Sequence, residues 1–70
     1  MKPKFSERIK KLRIENGLSQ EKLGKELHIS RTAINDWENR GIETSFTTLI
    51  KIAQYFNVTT DYLLGLVDEI

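Results

Sequence analysis

Seventy residues with eleven Lys and Arg, ten Asp and Glu, one His and no Cys make a small chain of formal charge +1. That length allows one domain burying only roughly 60% of its unfolded surface, which excludes a deep substrate cavity, and without cysteine there is neither a disulfide framework nor a thiolate metal site. No apolar run approaches the ~20 residues of a membrane span and the start MKPKF lacks the apolar stretch of a secretory signal, so the chain reads as soluble and cytoplasmic, with no metal or cofactor expected.

The first helix is expected from about Lys4 to Asn16, with Phe5, Ile9 and Leu12 on one stripe and Gly17 as a left-handed stop. One piece of punctuation then recurs: an apolar residue, a Ser or Thr, and an apolar residue four positions after the Ser or Thr. Leu18-Ser19 answers to Leu23, Ile29-Ser30 to Ile34, and Val58-Thr59 to Leu63, while Ser45 has Leu49 but follows Thr44. Each is an N-cap, and in the three complete cases a hydrophobic staple fixes how the chain enters the helix. Helix two therefore runs from Gln20 to about Leu27, and helix three from Arg31 to Asn39 or Arg40. A fourth, from Phe46 to Phe56, carries Phe46, Leu49, Ile50, Ala53 and Phe56 at helical spacing, and a fifth covers Thr60 to Leu64 before Gly65. With no strand-like alternation and no internal repeat, the fold class is all-α, a compact five-helix bundle over residues 1–65 with a short tail, 66–70.

Laid out at about 100° per residue, helix three places Ala33, Ile34 and Trp37 on one side and Arg31, Thr32, Asn35, Asp36 and Asn39 on the other. Solvated helix faces favour Lys and Glu. This strip carries instead the residue types that match base edges: Arg bonds guanine bidentately, Asn pairs likewise with adenine, and Thr meets the thymine methyl. The charge is split as well. Residues 1–31 hold nine Lys and Arg against four Glu, a net of +5, and residues 32–70 hold two against six, a net of −4. Such asymmetry points to an electrostatic binding face in the first half.

The stretch GLSQEKLGKELHISRTAINDWEN, followed by SFTTLIKIAQYFNVTTDYLLG, resembles the lambda-repressor-like, Cro-type helix-turn-helix family, also called the xenobiotic-response-element family. The likeness spans about residues 5–65. It rests on GLSQ opening the motif, the small Gly24 where its helices touch, Ile34 and Trp37 as core anchors, the WEN ending and the DYLLG finish. The resemblance implies that helices two and three form the motif and that helix three is the recognition helix. It implies base reading by Arg31, Thr32 and Asp36 with Ser30 and Asn35 beside them, and phosphate contacts from Ser19, Gln20, Asn39 and Arg40. It also implies an ion pair between Arg13 and Glu38. His28 stands where the family usually has glycine, and Asp36 is acidic on a DNA-facing surface, where it either accepts from cytosine N4 or holds Arg31 in place.

The expected function is sequence-specific binding of double-stranded DNA by a transcriptional regulator, a repressor before an activator. One recognition helix reads few base pairs, so a homodimer on a palindromic operator is expected, with half-sites about 34 Å apart or a multiple. Leu66, Val67 and Ile70, with Leu63 or Leu64, are a candidate dimer contact; their other reading is packing on the domain's own core. A protein-binding module, such as an antitoxin or antirepressor on the same scaffold, is the alternative function. Catalysis is not expected, since His28 lies in a turn and no Gly-rich phosphate loop exists. Ile14, apolar where helix one faces water, has no assigned role.

Overall fold

In a computed structural model, which describes residues 3–69, five helices follow one another without a strand: α1 (Phe5–Glu15), α2 (Gln20–Leu27), α3 (Arg31–Asn39), α4 (Phe46–Phe56) and α5 (Thr60–Leu64). Side-chain caps open four of them. The hydroxyl oxygens of Ser19, Ser30, Ser45 and Thr59 accept from the amides of Lys22, Ala33, Thr48 and Tyr62 at 3.0, 3.1, 3.1 and 3.0 Å. Each cap satisfies an amide with no carbonyl partner inside its own helix. α1 has no side-chain cap, and its N-cap position falls on Lys4, so the helix starts at Phe5, the first residue of its apolar stripe, one residue later than expected.

The helix ends use the same residues as the next starts. After α1, the amide of Leu18 donates to the Arg13 carbonyl at 3.0 Å and that of Gly17 to Ile14 at 2.9 Å. The same paired bonds close α2 through Ile29 and His28, and α4 through Val58 and Asn57. Each is a Schellman ending, which needs left-handed backbone at its turning residue. Gly17 supplies it at φ 67° and His28 at φ 58°, so the histidine adopts the conformation a glycine would and the turn of the motif keeps its shape. Leu18, Ile29 and Val58 close one helix and staple the next, and all three pack against the core. Local sequence thus sets both the helices and the angles between them.

The core collects Phe5, Ile9 and Leu12 of α1, Leu23 and Leu27 of α2, Ile34 and Trp37 of α3, Leu49, Ile52 and Ala53 of α4, and Tyr62 and Leu63 of α5. Phe5 meets Trp37 edge to face, ring centres 5.7 Å apart, which ties the start of α1 to α3. α1 lies against α3 and α5, and α2 against α3 and α4. Lys51 of α4 donates to the carbonyl of Leu27, so a cation closes the C-terminal end of α2.

Phe46 and Ile50 are not core residues: they are 86% and 50% exposed, and Ile52 fills the place instead. Phe46 opens its helix, so its side chain projects past the end of the core, and Ile50 sits a quarter-turn off the stripe that Leu49, Ile52 and Ala53 bury. Leu63 is fully buried and unavailable to a partner chain, because its stapling role turns it inward. Leu66 and Val67 are exposed, Leu64 is half-buried, and Ile70 lies outside the described residues. The segment after α5 is tied to α1, since Arg8 donates to the Val67 carbonyl at 3.3 Å and to Asp68 at 2.8 Å while its guanidinium lies 4.4 Å from the centre of the Tyr62 ring.

Gly24 sets the crossing of α2 and α3. A Cβ there would lie 2.6 Å from the Ile29 carbonyl oxygen and 3.5 Å from Ile34 Cδ1. Helix propensity favours Ala over Gly by about 1 kcal/mol, whereas forcing backbone apart at a packed crossing costs about 1–3 kcal/mol. Gly24→Ala should therefore destabilise despite the better helix former, read as a lower midpoint in urea unfolding; a raised midpoint would show that the crossing has room to spare.

Candidate nucleic-acid interface

α2, the His28 turn and α3 present one continuous surface. The apolar side of α3, Ile34 and Trp37, is buried, and Arg31, Thr32, Asn39 and Arg40 are exposed on the other side with Asn35 and Asp36 half-buried between them. Gln20, Arg31, Thr32 and Asn35 line a shallow polar notch where the start of α2 faces α3. Ser19 and Ser30 lie at the edge of this surface, but their hydroxyl oxygens are engaged in capping. At the start of α2 the amides of Gln20 and Glu21 precede the first intrahelical bond, which Leu23 makes to Ser19 at 3.0 Å, so they present two donors and the positive end of the helix dipole.

Beneath this surface lies the ion pair implied by the resemblance. Arg13 Nε and Nη2 donate to Glu38 Oε2 and Oε1 at 2.8 and 2.9 Å, a bidentate pair joining α1 to α3. Arg13 Nη1 also donates to the Leu18 carbonyl at 2.8 Å, in the turn before α2. The Glu38 side chain is 0% exposed and that of Arg13 12%. Hydrogen bonding to Glu38 holds the Arg13 guanidinium above its usual pKa range, outweighing the opposing effect of burial, so the cation is permanent.

From Glu38 a chain of amides leads outward. Gln20 Nε2 donates to Glu38 Oε1 at 3.3 Å and to Asn35 Oδ1 at 3.5 Å, and Asn39 Nδ2 donates to the same Asn35 oxygen at 2.6 Å. The predicted site residues Gln20, Asn35 and Asn39 are therefore one network, and its inner part was not foreseen. The amide nitrogen of Gln20 points at the protein. The signal in the sequence is the resemblance's Arg13 and Glu38 pair, with Glu38 one residue after the buried Trp37. Asp36 is not tied to Arg31: its carboxylate lies 3.5 Å from Arg40, one turn on, which leaves Arg31 free of that contact. An acid four residues before a base is the favourable order on a helix, and five residues back is a poorer fit. Among the described residues, no group of three or more His, Asp and Glu is placed to hold a metal ion, and no helix is long and apolar enough to cross a membrane.

A helix-turn-helix family profile matches residues 9–63, which include all of α2 and α3. The chain belongs to the lambda-repressor/Cro-like helix-turn-helix family. It is 39% identical over 61 residues to the HTH-type transcriptional activator BcrR of Enterococcus faecalis, covering 87% of this chain and 30% of that protein. With the uncharacterized HTH-type transcriptional regulator YqaE of Bacillus subtilis it shares 38% identity over 60 residues, 86% of this chain and 52% of that one. The chain thus spans only about a third to a half of the length of these curated relatives. Among solved structures, a transcriptional regulator from Listeria innocua superposes with a TM-score of 0.86 at 24% identity, covering 100% of this chain and 65% of that chain, a likeness of fold. The P22 c2 repressor, solved in complex with a synthetic operator, superposes with a TM-score of 0.79 at 32% identity and covers 86% of this chain and 91% of that chain.

Within this helix-turn-helix domain the Arg13 and Glu38 pair should dominate stability among polar contacts. Removing one partner leaves the other charge buried, which costs about 3–5 kcal/mol, whereas replacing both by apolar residues is close to neutral. Arg13→Met alone should sharply lower the urea midpoint, and adding Glu38→Leu should recover much of the loss. Additive losses in the double variant would mean that the two charges are solvated independently.

Proposed function

We propose that this chain binds double-stranded DNA sequence-specifically, as a homodimer on a palindromic operator, and regulates transcription as a repressor. One observation carries the reading: the outward side of α3 is built of Arg31, Thr32, Asn35 and Asp36 rather than Lys and Glu, and lies beside the open amides of α2. In a major groove, α3 lays those four side chains and Ser30 along base edges while α2 crosses the backbone. Phosphate oxygens are taken at the start of α2 by Ser19, Gln20 and the open amides there, where helix dipole and free donors coincide, and by Asn39 and Arg40 at the far end of α3. The likeness to the P22 c2 repressor, itself solved on an operator, supports this arrangement.

Dimer contacts fall to Leu64, Leu66 and Val67. The exposed Phe46 extends the apolar surface on which Leu64 lies, next to Pro3 and Leu49. Pairing two recognition helices about 34 Å apart doubles the bases read and explains why a chain of net charge +1 need not rely on non-specific attraction. Its chemistry is recognition, not catalysis.

Arg31 gives the sharpest test. After selection of a cognate site from a random duplex pool, Arg31→Ala should cost roughly 1–3 kcal/mol on that site and relax the preference at one base position. Equal loss on cognate and unrelated duplexes would assign Arg31 to the phosphate backbone. Recovery of no motif would favour a protein-binding role, antitoxin-like or antirepressor-like, on the same scaffold.

A further inference from the structure

We infer that Asn35 reads DNA as a hydrogen-bond donor only, selecting guanine rather than adenine, and that Gln20, oriented by the buried Arg13 and Glu38 pair, is the positioning residue that imposes this choice. The inference rests on α3 being the recognition helix. A free asparagine offers a donor and an acceptor side by side and matches adenine, which presents N7 as acceptor and N6 as donor. Asn35 is not free to do so.

The constraint starts at Glu38. Both its carboxylate oxygens accept from Arg13, at 2.8 and 2.9 Å, so it has nothing to donate, and Gln20 must turn its Nε2 group inward to Oε1 at 3.3 Å. The same nitrogen is 3.5 Å from the side-chain amide of Asn35. Turning Asn35 over would set two NH2 groups against each other, so its oxygen faces Gln20. Asn39 then completes the arrangement by donating to that oxygen at 2.6 Å. The polarity of three amides is thus fixed in one direction from a carboxylate with no exposed surface.

With Oδ1 accepting from two sides, Nδ2 remains, and no described residue accepts from it. Asn35 shares the notch with Arg31 and Thr32, on the side assigned to the bases. Two hydrogens on one nitrogen suit guanine, whose O6 and N7 are adjacent acceptors. Thymine offers O4 alone, adenine sets N6 hydrogens beside its N7, and cytosine presents a donor. Guanine is the base this orientation favours.

Base-position selection from a random duplex pool tests the inference. The position read by Asn35 is the one whose preference disappears in Asn35→Ala. There the wild-type chain should prefer guanine over adenine by on the order of tenfold. Gln20→Met removes the positioning amide but leaves the ion pair intact, so the thermal midpoint should hold while the preference for guanine over adenine falls and adenine gains. A merely structural Gln20 would lower the midpoint without moving the base preference. Adenine preferred by the wild-type chain, or guanine retained at full strength in Gln20→Met, would overturn the inference. A recovered motif with no position sensitive to Asn35→Ala would overturn it while leaving DNA reading intact; no motif at all would overturn both.

Discussion

A carboxylate with no exposed surface is the constraint around which the proposed DNA-facing side is built. Glu38 is tolerable there only because Arg13 meets it with two hydrogen bonds and spends its third on the Leu18 carbonyl. That one guanidinium joins α1, the turn before α2, and the end of α3. Breaking such a pair costs several kcal/mol, in a domain whose whole stability is on the order of 5–10 kcal/mol. The placement of α1 and the turn before α2 against α3, and the orientation of the side chains that reach Glu38, therefore depend on the same contact. Gly24 supplies the complementary condition, since only a residue without Cβ lets α2 reach the Ile29 carbonyl this closely.

Rigidity of that kind bears directly on recognition. Polar side chains on a helix surface ordinarily lose rotamer freedom on binding, and each immobilised chain costs about 0.5–1.5 kcal/mol. In this molecule Gln20, Asn35 and Asn39 are already linked, and Asp36 lies within reach of Arg40. Arg31 and Thr32 are left as the adaptable members. The distribution of charge suits such a surface: the positive half holds α1, α2 and the start of α3, while the acidic half supplies most of α3, α4, α5 and the tail. A net charge of +1 limits non-specific attraction, and on the proposed reading this leaves discrimination to the few residues of α3.

Much of this was legible in the sequence because it is local. A cap and its staple lie within six residues of one another, and α2 to α5 begin where that punctuation puts them. The polar face of α3 follows from helical spacing in the same way. What was not legible depends on the ends of elements and on contacts between them. Phe46 is apolar and correctly spaced yet exposed, because the core meets α4 only from Leu49 onward. Leu63, a candidate partner contact by its place near the tail, is the inward half of the staple that its spacing from Val58 marks. Asp36 had two cations within reach, and only the three-dimensional arrangement shows that Arg40 takes it. The inward turn of Gln20 depends on the burial of Glu38, which in turn depends on α1 packing across α3. Ile14 is 58% exposed, and nothing in the structure explains it.

The central claim is that the Arg13 and Glu38 pair holds the amides of the recognition surface in one orientation before any DNA arrives. Nitrogen-15 relaxation of the side-chain amide groups in the free protein measures this directly. The account predicts that the Asn35 and Gln20 amides are as ordered as rigid backbone, with order parameters near about 0.85, and that they loosen together in a folded Glu38→Gln variant. Values below about 0.6 for Asn35 in the wild-type protein would contradict it.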